Sequence, residues 1–244
     1  MYKRLPFSQY FIDASKDYKN TGKTRFNIKY NHVSFEYKLF NLFPIKCSAE
    51  WEVHYEPDRN VIQINFEQTN GKADWMINFL YKEKMYDKFI WNHNDKEVSI
   101  QLKASKGWSR MYKAMKHDVK EAVKKLLDEY PNAYIEIAAW SLGSGQAQFA
   151  CQDIYYHFGK QPYLYTYGSV KPWRGGKIIK EYLSTTYKEA YNFKHRSDIV
   201  GYMPPLIGFF SIKPIKLGKF NFFHLFNPHK WHTLYGEESL YEGV

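Results

Sequence analysis

The order of apolar patterns along the chain predicts an α/β fold with a mostly parallel central sheet flanked by helices. Between Tyr134 and His195, strand-like segments of period two alternate with helix-like ones, which implies strand–helix–strand crossovers. From Trp108 to Leu127 the apolar residues Trp108, Met111, Met115, Val119, Val123 and Leu126 recur at helical spacing. The chain has 244 residues, 44% hydrophobic and 19% aromatic, enough to bury a sizeable core, so one domain over residues 1–244 is expected.

Residues 1–48, rich in Tyr, Phe and Lys, read as an irregular, partly helical N-terminal cover. WEVHYEPDRNVIQINFEQT reads as a hairpin around Pro57-Asp58-Arg59-Asn60, residue types that suit tight turns. Residues 81–107 carry mixed charge and aromatics such as Phe89 and Trp91 without a clean period. The helix beginning near Trp108 stops at Pro131-Asn132. A strand then runs to Trp140 and a helix spans about 143–158, with Gly159 as its C-cap. PYLYTYG is a strand, GGKIIKEYLST a helix, and AYNFKH a further strand ending before Ser197-Asp198.

Composition excludes several classes. Two cysteines, Cys47 and Cys151, are too few and too far apart for a disulfide framework or a zinc site. The N-terminus lacks an apolar signal core, and no stretch is apolar enough to span a bilayer, which favours a cytoplasmic location. The net charge of +10 comes from lysines scattered along the chain, which suits a solvated surface or attraction to an anionic membrane or envelope polymer. No nucleic-acid motif accompanies the charge, so no nucleic-acid partner is expected.

IEIAAWSLGSGQAQFA, residues 135–150, puts Ser141 at a strand-to-helix junction. A serine there is either a helix N-cap or a nucleophile exposed on a sharp turn. The turn needs small residues on both sides, and Ala139 and Gly143 supply them. Acyl transfer also needs two backbone donors for the oxyanion, one on the residue after the nucleophile and one on another loop. Leu142 holds the first position. Thr69, at the end of the VIQINFEQT strand, can offer its N–H and hydroxyl.

These segments resemble the class 3 lipases, best known from fungal triacylglycerol lipases. INFEQTNGKADWMINF is similar to the family's F-R-G-T/S strand end and D/N-W turn, and SKGWSRMYKAM to its H-K-G-F segment. AAWSLGSGQAQ resembles G-H-S-L-G-G-A-x-A, and YTYGSVKPW resembles T-F/Q-G-x-P-R-V. HRSDIVGYMPP is similar to N-x-x-D-I-V-P-x-L-P-P, and WHTLYG to H-x-x-Y-F/G. Six motifs occur in the family's order between Trp51 and Gly236.

The resemblance implies an α/β-hydrolase-type fold with a lid segment, placed at residues 80–104, and a serine carboxylic-ester hydrolase needing neither cofactor nor metal. It makes Ser141 the nucleophile, Asp198 the orienting acid and His232 the base, with Thr69 and Leu142 forming the oxyanion hole and an acyl-enzyme as intermediate. A lipid or other ester is the implied substrate. Asp198 also follows the AYNFKH strand, which puts it at the same sheet edge as Ser141. His224 and His229 are the other histidines of the tail. The chain departs from the pattern at Ala139, Trp140 and Ser144, at Glu67-Gln68, and at Ser105. These changes weigh against efficient triglyceride lipolysis. The alternative is a weak or inactive scaffold binding an anionic surface.

Overall fold

The computed structural model describes residues 31–39, 43–66, 82–220, 232 and 235, with side chains from residue 49 onward. Strands β1 (Asn31–Leu39) and β2 (Phe43–Glu56) pair antiparallel, so the second half of the expected N-terminal cover is a hairpin. Residues 1–30 of that cover lie outside the described residues. The expected hairpin across Pro57–Asn60 forms between β2 and β3 (Val61–Phe66), with Asn60 at φ 52°. Asn tolerates that left-handed backbone better than most residues do.

β3 then pairs in parallel with β6 (Tyr134–Trp140), and β6 with β7 (Tyr163–Tyr167). β7 continues in parallel to β9 (Glu189–His195), and β9 to β11 (Pro214–Leu217). The resulting seven-stranded sheet has the order β1-β2-β3-β6-β7-β9-β11. Helix α1 (Lys106–Glu129) precedes β6, α2 (Gly143–Phe158) connects β6 to β7, and α3 (Lys177–Ser184) precedes β9. Helix α1 buries Trp108, Met111, Met115, Val119 and Val123, the stripe expected from the sequence. α2 ends where expected, at Gly159 with φ 64°. No helix among the described residues is long and apolar enough to cross a membrane.

Residues 81–107, which show no clean period in the sequence, contain two regular strands. β4 (Glu83–His93) and β5 (Lys96–Ser105) form a hairpin turned at Asn94-Asp95, both with φ near 50–60° as a two-residue hairpin turn requires. Together with β8 (Trp173–Arg174) and β10 (Phe209–Phe210) they make a second, four-stranded sheet. Its inner face buries Ile100, Leu102 and Ala104 completely. Tyr86 and Trp173 of this sheet meet Phe149 of α2, with ring centroids 4.9 and 4.7 Å away. Each buried Ile or Leu contributes about 1.5–3 kcal/mol. Residues 83–105 are thus part of the packed body and not a loop laid over it. Residue 80, where the lid was expected to begin, and residue 81 lie outside the described residues. The second sheet also explains α2, whose residues Gly143–Ile154 are all buried. The central sheet covers one side of that helix, and α1 and the second sheet cover the others.

Candidate active site

Ser141 sits between β6 and α2 with φ 55°. A non-glycine residue in that region costs about 1–3 kcal/mol and persists only where its surroundings impose it. Three bonds do so here. The Ser141 N–H donates to the Tyr167 carbonyl at 2.9 Å, and the Ser141 carbonyl accepts both the Ser144 N–H and the Ser144 hydroxyl. Ser144 Oγ in turn accepts the Val170 N–H at 3.2 Å. Ser144, where the family pattern has glycine, therefore ties the turn to the loop after β7. The helix-cap alternative fails. Leu142 occupies the N-cap with a helical backbone, and no side chain caps α2.

Asp198 follows β9 and is fully buried. A buried carboxylate needs donors on both oxygens, and it has them. Oδ1 accepts the Val200 N–H at 3.0 Å. Oδ2 is 3.0 Å from His232 Nδ1 and accepts the Tyr235 hydroxyl at 2.5 Å. That hydroxyl also accepts the His195 N–H at 2.9 Å, which fixes it between β9 and the carboxylate. With Nδ1–H donating to Asp198, the tautomer of the neutral imidazole that fits this contact is the one whose Nε2 carries the lone pair. Nε2 is buried and, among the described residues, has no hydrogen-bond partner. Ser141 Oγ is not bonded to it. Such contacts commonly close only when substrate binds.

Two further residues hold this pair. Trp140 stacks on His232, with ring centroids 5.1 Å apart, and its Nε1–H donates to the His232 carbonyl at 3.0 Å. Gly168, directly after β7, has φ 58°. A Cβ there would lie 2.8 Å from Asp198 Oδ2 and 3.0 Å from His232 Nδ1. The Asp–His pair rests on bare backbone.

Next to the pair, Lys194 of β9 is buried, donates to the Gly201 carbonyl at 2.8 Å and lies 3.2 Å over the Tyr202 ring. Burial first, then the charge of Lys171, pulls its pKa down to about 8, with Asp198 opposing. Cys151 is unpaired and fully buried, and burial pushes its thiol up to about 12, far from a reactive thiolate.

The sequence expectations thus meet at one sheet edge for Ser141, Leu142, Asp198 and His232. Thr69, Glu67 and Gln68 lie outside the described residues, as do His224 and His229. Sequence reasoning missed the packing of Gly168 and Trp140 against His232 and the hydrogen bond from the Tyr235 hydroxyl to Asp198. The signal for Gly168 was present in YTYG, a glycine placed immediately after a strand.

Comparison with known proteins bears on this geometry. The family model "Lipase (class 3)" matches residues 63–207, more than half of the chain. No curated protein sequence gives a significant match. Among solved structures, a mutant of MDLA from Penicillium cyclopium is similar, with a TM-score of 0.54 and 16% identity. That match covers 71% of this chain, which spans only 60% of that protein. A fungal lipase–inhibitor complex matches with a TM-score of 0.60 and 16% identity, over 87% of this chain and 78% of that one. The Rhizomucor miehei triacylglyceride lipase matches with a TM-score of 0.59 and 16% identity, over 89% of this chain and 80% of that one. At this identity the structural likeness establishes the α/β-hydrolase fold.

Proposed function

Because the chain belongs to the class 3 lipase family, we propose that it is a carboxylic-ester hydrolase acting on a lipid ester through Ser141, His232 and Asp198. The observation that carries this reading is the strained Ser141, φ 55°, at the end of β6, in the same site as a buried Asp198–His232 pair. Strain of this kind at a serine has no structural benefit that a glycine would not supply better.

In the proposed reaction His232 Nε2 takes the Ser141 proton as Oγ attacks the ester carbonyl. Nδ1–H stays bonded to Asp198, which stabilises the imidazolium and fixes its tautomer. The tetrahedral oxyanion is held by the Leu142 N–H, at the positive amino end of α2, and by Thr69. Each donor is worth about 2.7–4 kcal/mol by deletion. His232 then protonates the departing alcohol; in the second step it takes a proton from a water that attacks the acyl carbonyl and returns that proton to Ser141 Oγ as the acid leaves. The Tyr235 hydroxyl and the Val200 N–H hold the Asp198 carboxylate in place throughout.

The test is turnover of a short-chain p-nitrophenyl ester together with stoichiometric labelling by a fluorophosphonate. Turnover and label, both lost in Ser141→Ala, are expected. Labelling absent from the wild type, or turnover retained in Ser141→Ala, would remove Ser141 from its role.

A further inference from the structure

The loop that begins at Asp198 groups four exposed large apolar side chains, among them Ile207, the most exposed of its kind in the described residues. Ile199, Tyr202 and Leu206 are 42, 41 and 47% exposed, and Ile207 is 95% exposed. Single apolar residues at a surface need no explanation, but four within nine residues, beside a buried acid, do. The loop is not a slack excursion. Tyr202 OH donates to the Arg196 carbonyl at 2.9 Å, and Lys194 beneath donates to the Gly201 carbonyl. The Lys171 N–H donates to the Met203 carbonyl at 2.8 Å. The apolar side chains are held outward by a fixed backbone.

Cations surround it at the same sheet edge. The Arg196 N–H donates to the Leu217 carbonyl at 3.0 Å, so the ends of β9 and β11 bring Arg196, Lys216 and Lys219 together. Lys216 is the register partner of Lys194. Among the described residues no carboxylate pairs with Lys171, Arg196, Lys216 or Lys219. The sequence explains why, since no Asp or Glu occurs between Asp198 and Glu237. Burial is the main cause that lowers the Lys194 pKa, and the charges of Lys171 and Lys216 lower it further. A like-charged rim of this kind is unfavourable until an anion faces it.

We infer that the 199–207 loop with its basic rim is a docking surface for an anionic lipid bilayer, which seats the mouth of the site on the membrane. Apolar tips enter the acyl boundary while lysines and arginine meet the head groups, the division found in interfacial segments. The inference deepens the ester-hydrolase reading and rests on it for the choice of a lipid as occupant. Each cation near an anionic surface strengthens binding about fivefold, so three give about a hundredfold preference for anionic over neutral lipid at low salt.

The experiment is flotation of the Ser141→Ala protein, which cannot consume the lipid, with phosphatidylcholine vesicles and with vesicles also containing phosphatidylglycerol. Expected are a preference of about a hundredfold for the anionic vesicles, its loss at high salt, and at least tenfold weaker binding for Leu206→Asp/Ile207→Asp. Lys216→Glu/Lys219→Glu should abolish the preference for phosphatidylglycerol while leaving weak partition to both. Equal binding to the two vesicle types, or unchanged binding in both double variants, overturns the inference. So does a concentration-dependent dimer that the same variants dissolve, which would make the loop a contact between copies. Wild-type turnover of a soluble p-nitrophenyl ester is measured separately. Its failure with vesicle binding intact sinks the triad reading alone, and its success without binding sinks the docking surface alone.

Discussion

Replacing Gly168 by alanine adds one methyl group against the two side chains that orient the proposed base. The new Cβ would lie 2.8 Å from Asp198 Oδ2, 2.9 Å from His232 Cε1 and 3.0 Å from His232 Nδ1. Ordinary carbon contacts lie at about 3.5–4.0 Å, so something must move by roughly half an ångström or more. Asp198 is fully buried and fixed by the Val200 N–H and the Tyr235 hydroxyl, so it is the less able to yield. His232, attached to the tail, gives way. Its 3.0 Å bond to Asp198 lengthens and its ring shifts under Trp140. A displacement near 1 Å in a catalytic group costs about a hundredfold in rate, and loss of the correct imidazole tautomer about ten-thousandfold.

Gly168→Ala should therefore lower kcat/KM for a short-chain ester by at least about a hundredfold. The left-handed φ of 58° adds about 1–2 kcal/mol of destabilisation, a loss of a few degrees in Tm. Thermal unfolding and ester turnover on the same preparation separate the two effects. A folded Gly168→Ala protein with turnover within threefold of wild type would refute the argument, because the methyl would then have found room without disturbing the pair.

Ser141→Gly should abolish turnover yet raise Tm by about 2–4 °C, since glycine relieves roughly 1 kcal/mol of backbone strain; an unchanged or lower Tm would deny that strain. His232→Ala should lower kcat by several orders of magnitude, whereas His224→Ala and His229→Ala change it less than tenfold, as steady-state kinetics on the three variants will read. Trp140→Phe keeps the stacked ring but loses the Nε1–H bond to the His232 carbonyl. It should cost about 0.5–1.5 kcal/mol in chemical denaturation and lower kcat more than it changes KM. Lys194, held down at about 8 against an ordinary 10.5, binds its proton less readily when folded than when unfolded. Between pH 8 and 10.5 the unfolded chain keeps the proton that the folded chain gives up, so stability rises with pH in that window. The stability of the wild type relative to Lys194→Met should grow there by about 1–2 kcal/mol after allowing for solvent screening, measured by denaturation across the range.

The parallel half of the sheet was legible because each of its elements carries its own period and its own stop. α1, β6, α2, β7, α3 and β9 all fall where the sequence puts them, with Pro131 just past the end of α1 and Gly159 at the end of α2. The second sheet was legible in part and was overlooked. Val98, Ile100, Leu102 and Ala104 alternate with Glu97, Ser99, Gln101 and Lys103, a strand pattern that the charged and aromatic residues of β4 obscure. β8, β10 and β11 are only two to four residues long, too short to show a period, and are defined by partners distant in sequence. At the site, residue types in a family order singled out Ser141, Asp198 and His232 as candidates. The bare backbone under Asp198 could not be read that way, because what a glycine faces depends on the fold.

The departures from the family pattern acquire a physical sense together. Ala139 points into the main core and is fully buried there, so its methyl fills space that a glycine would leave. Trp140, the next residue, points through the opposite face of the sheet, as strand alternation requires. It joins a second, smaller aromatic cluster, in which Tyr167 stacks on Phe193 with centroids 5.4 Å apart. Tyr235 meets the edge of Tyr167 at 6.3 Å and that of His232 at 6.4 Å. His232 and Tyr235 lie far along the chain from the sheet strands that face them, and neither belongs to one of those strands. Their position rests on ring contacts and on four hydrogen bonds: the Trp140 indole to the His232 backbone, the His232 Nδ1–H to Asp198, Tyr235 to Asp198, and the His195 N–H to Tyr235. Aromatic pairs of this kind are worth about 0.5–1.5 kcal/mol each beyond their burial. A histidine at the position of Trp140 would offer a smaller ring to that cluster. The tryptophan thus helps to hold His232, the proposed base.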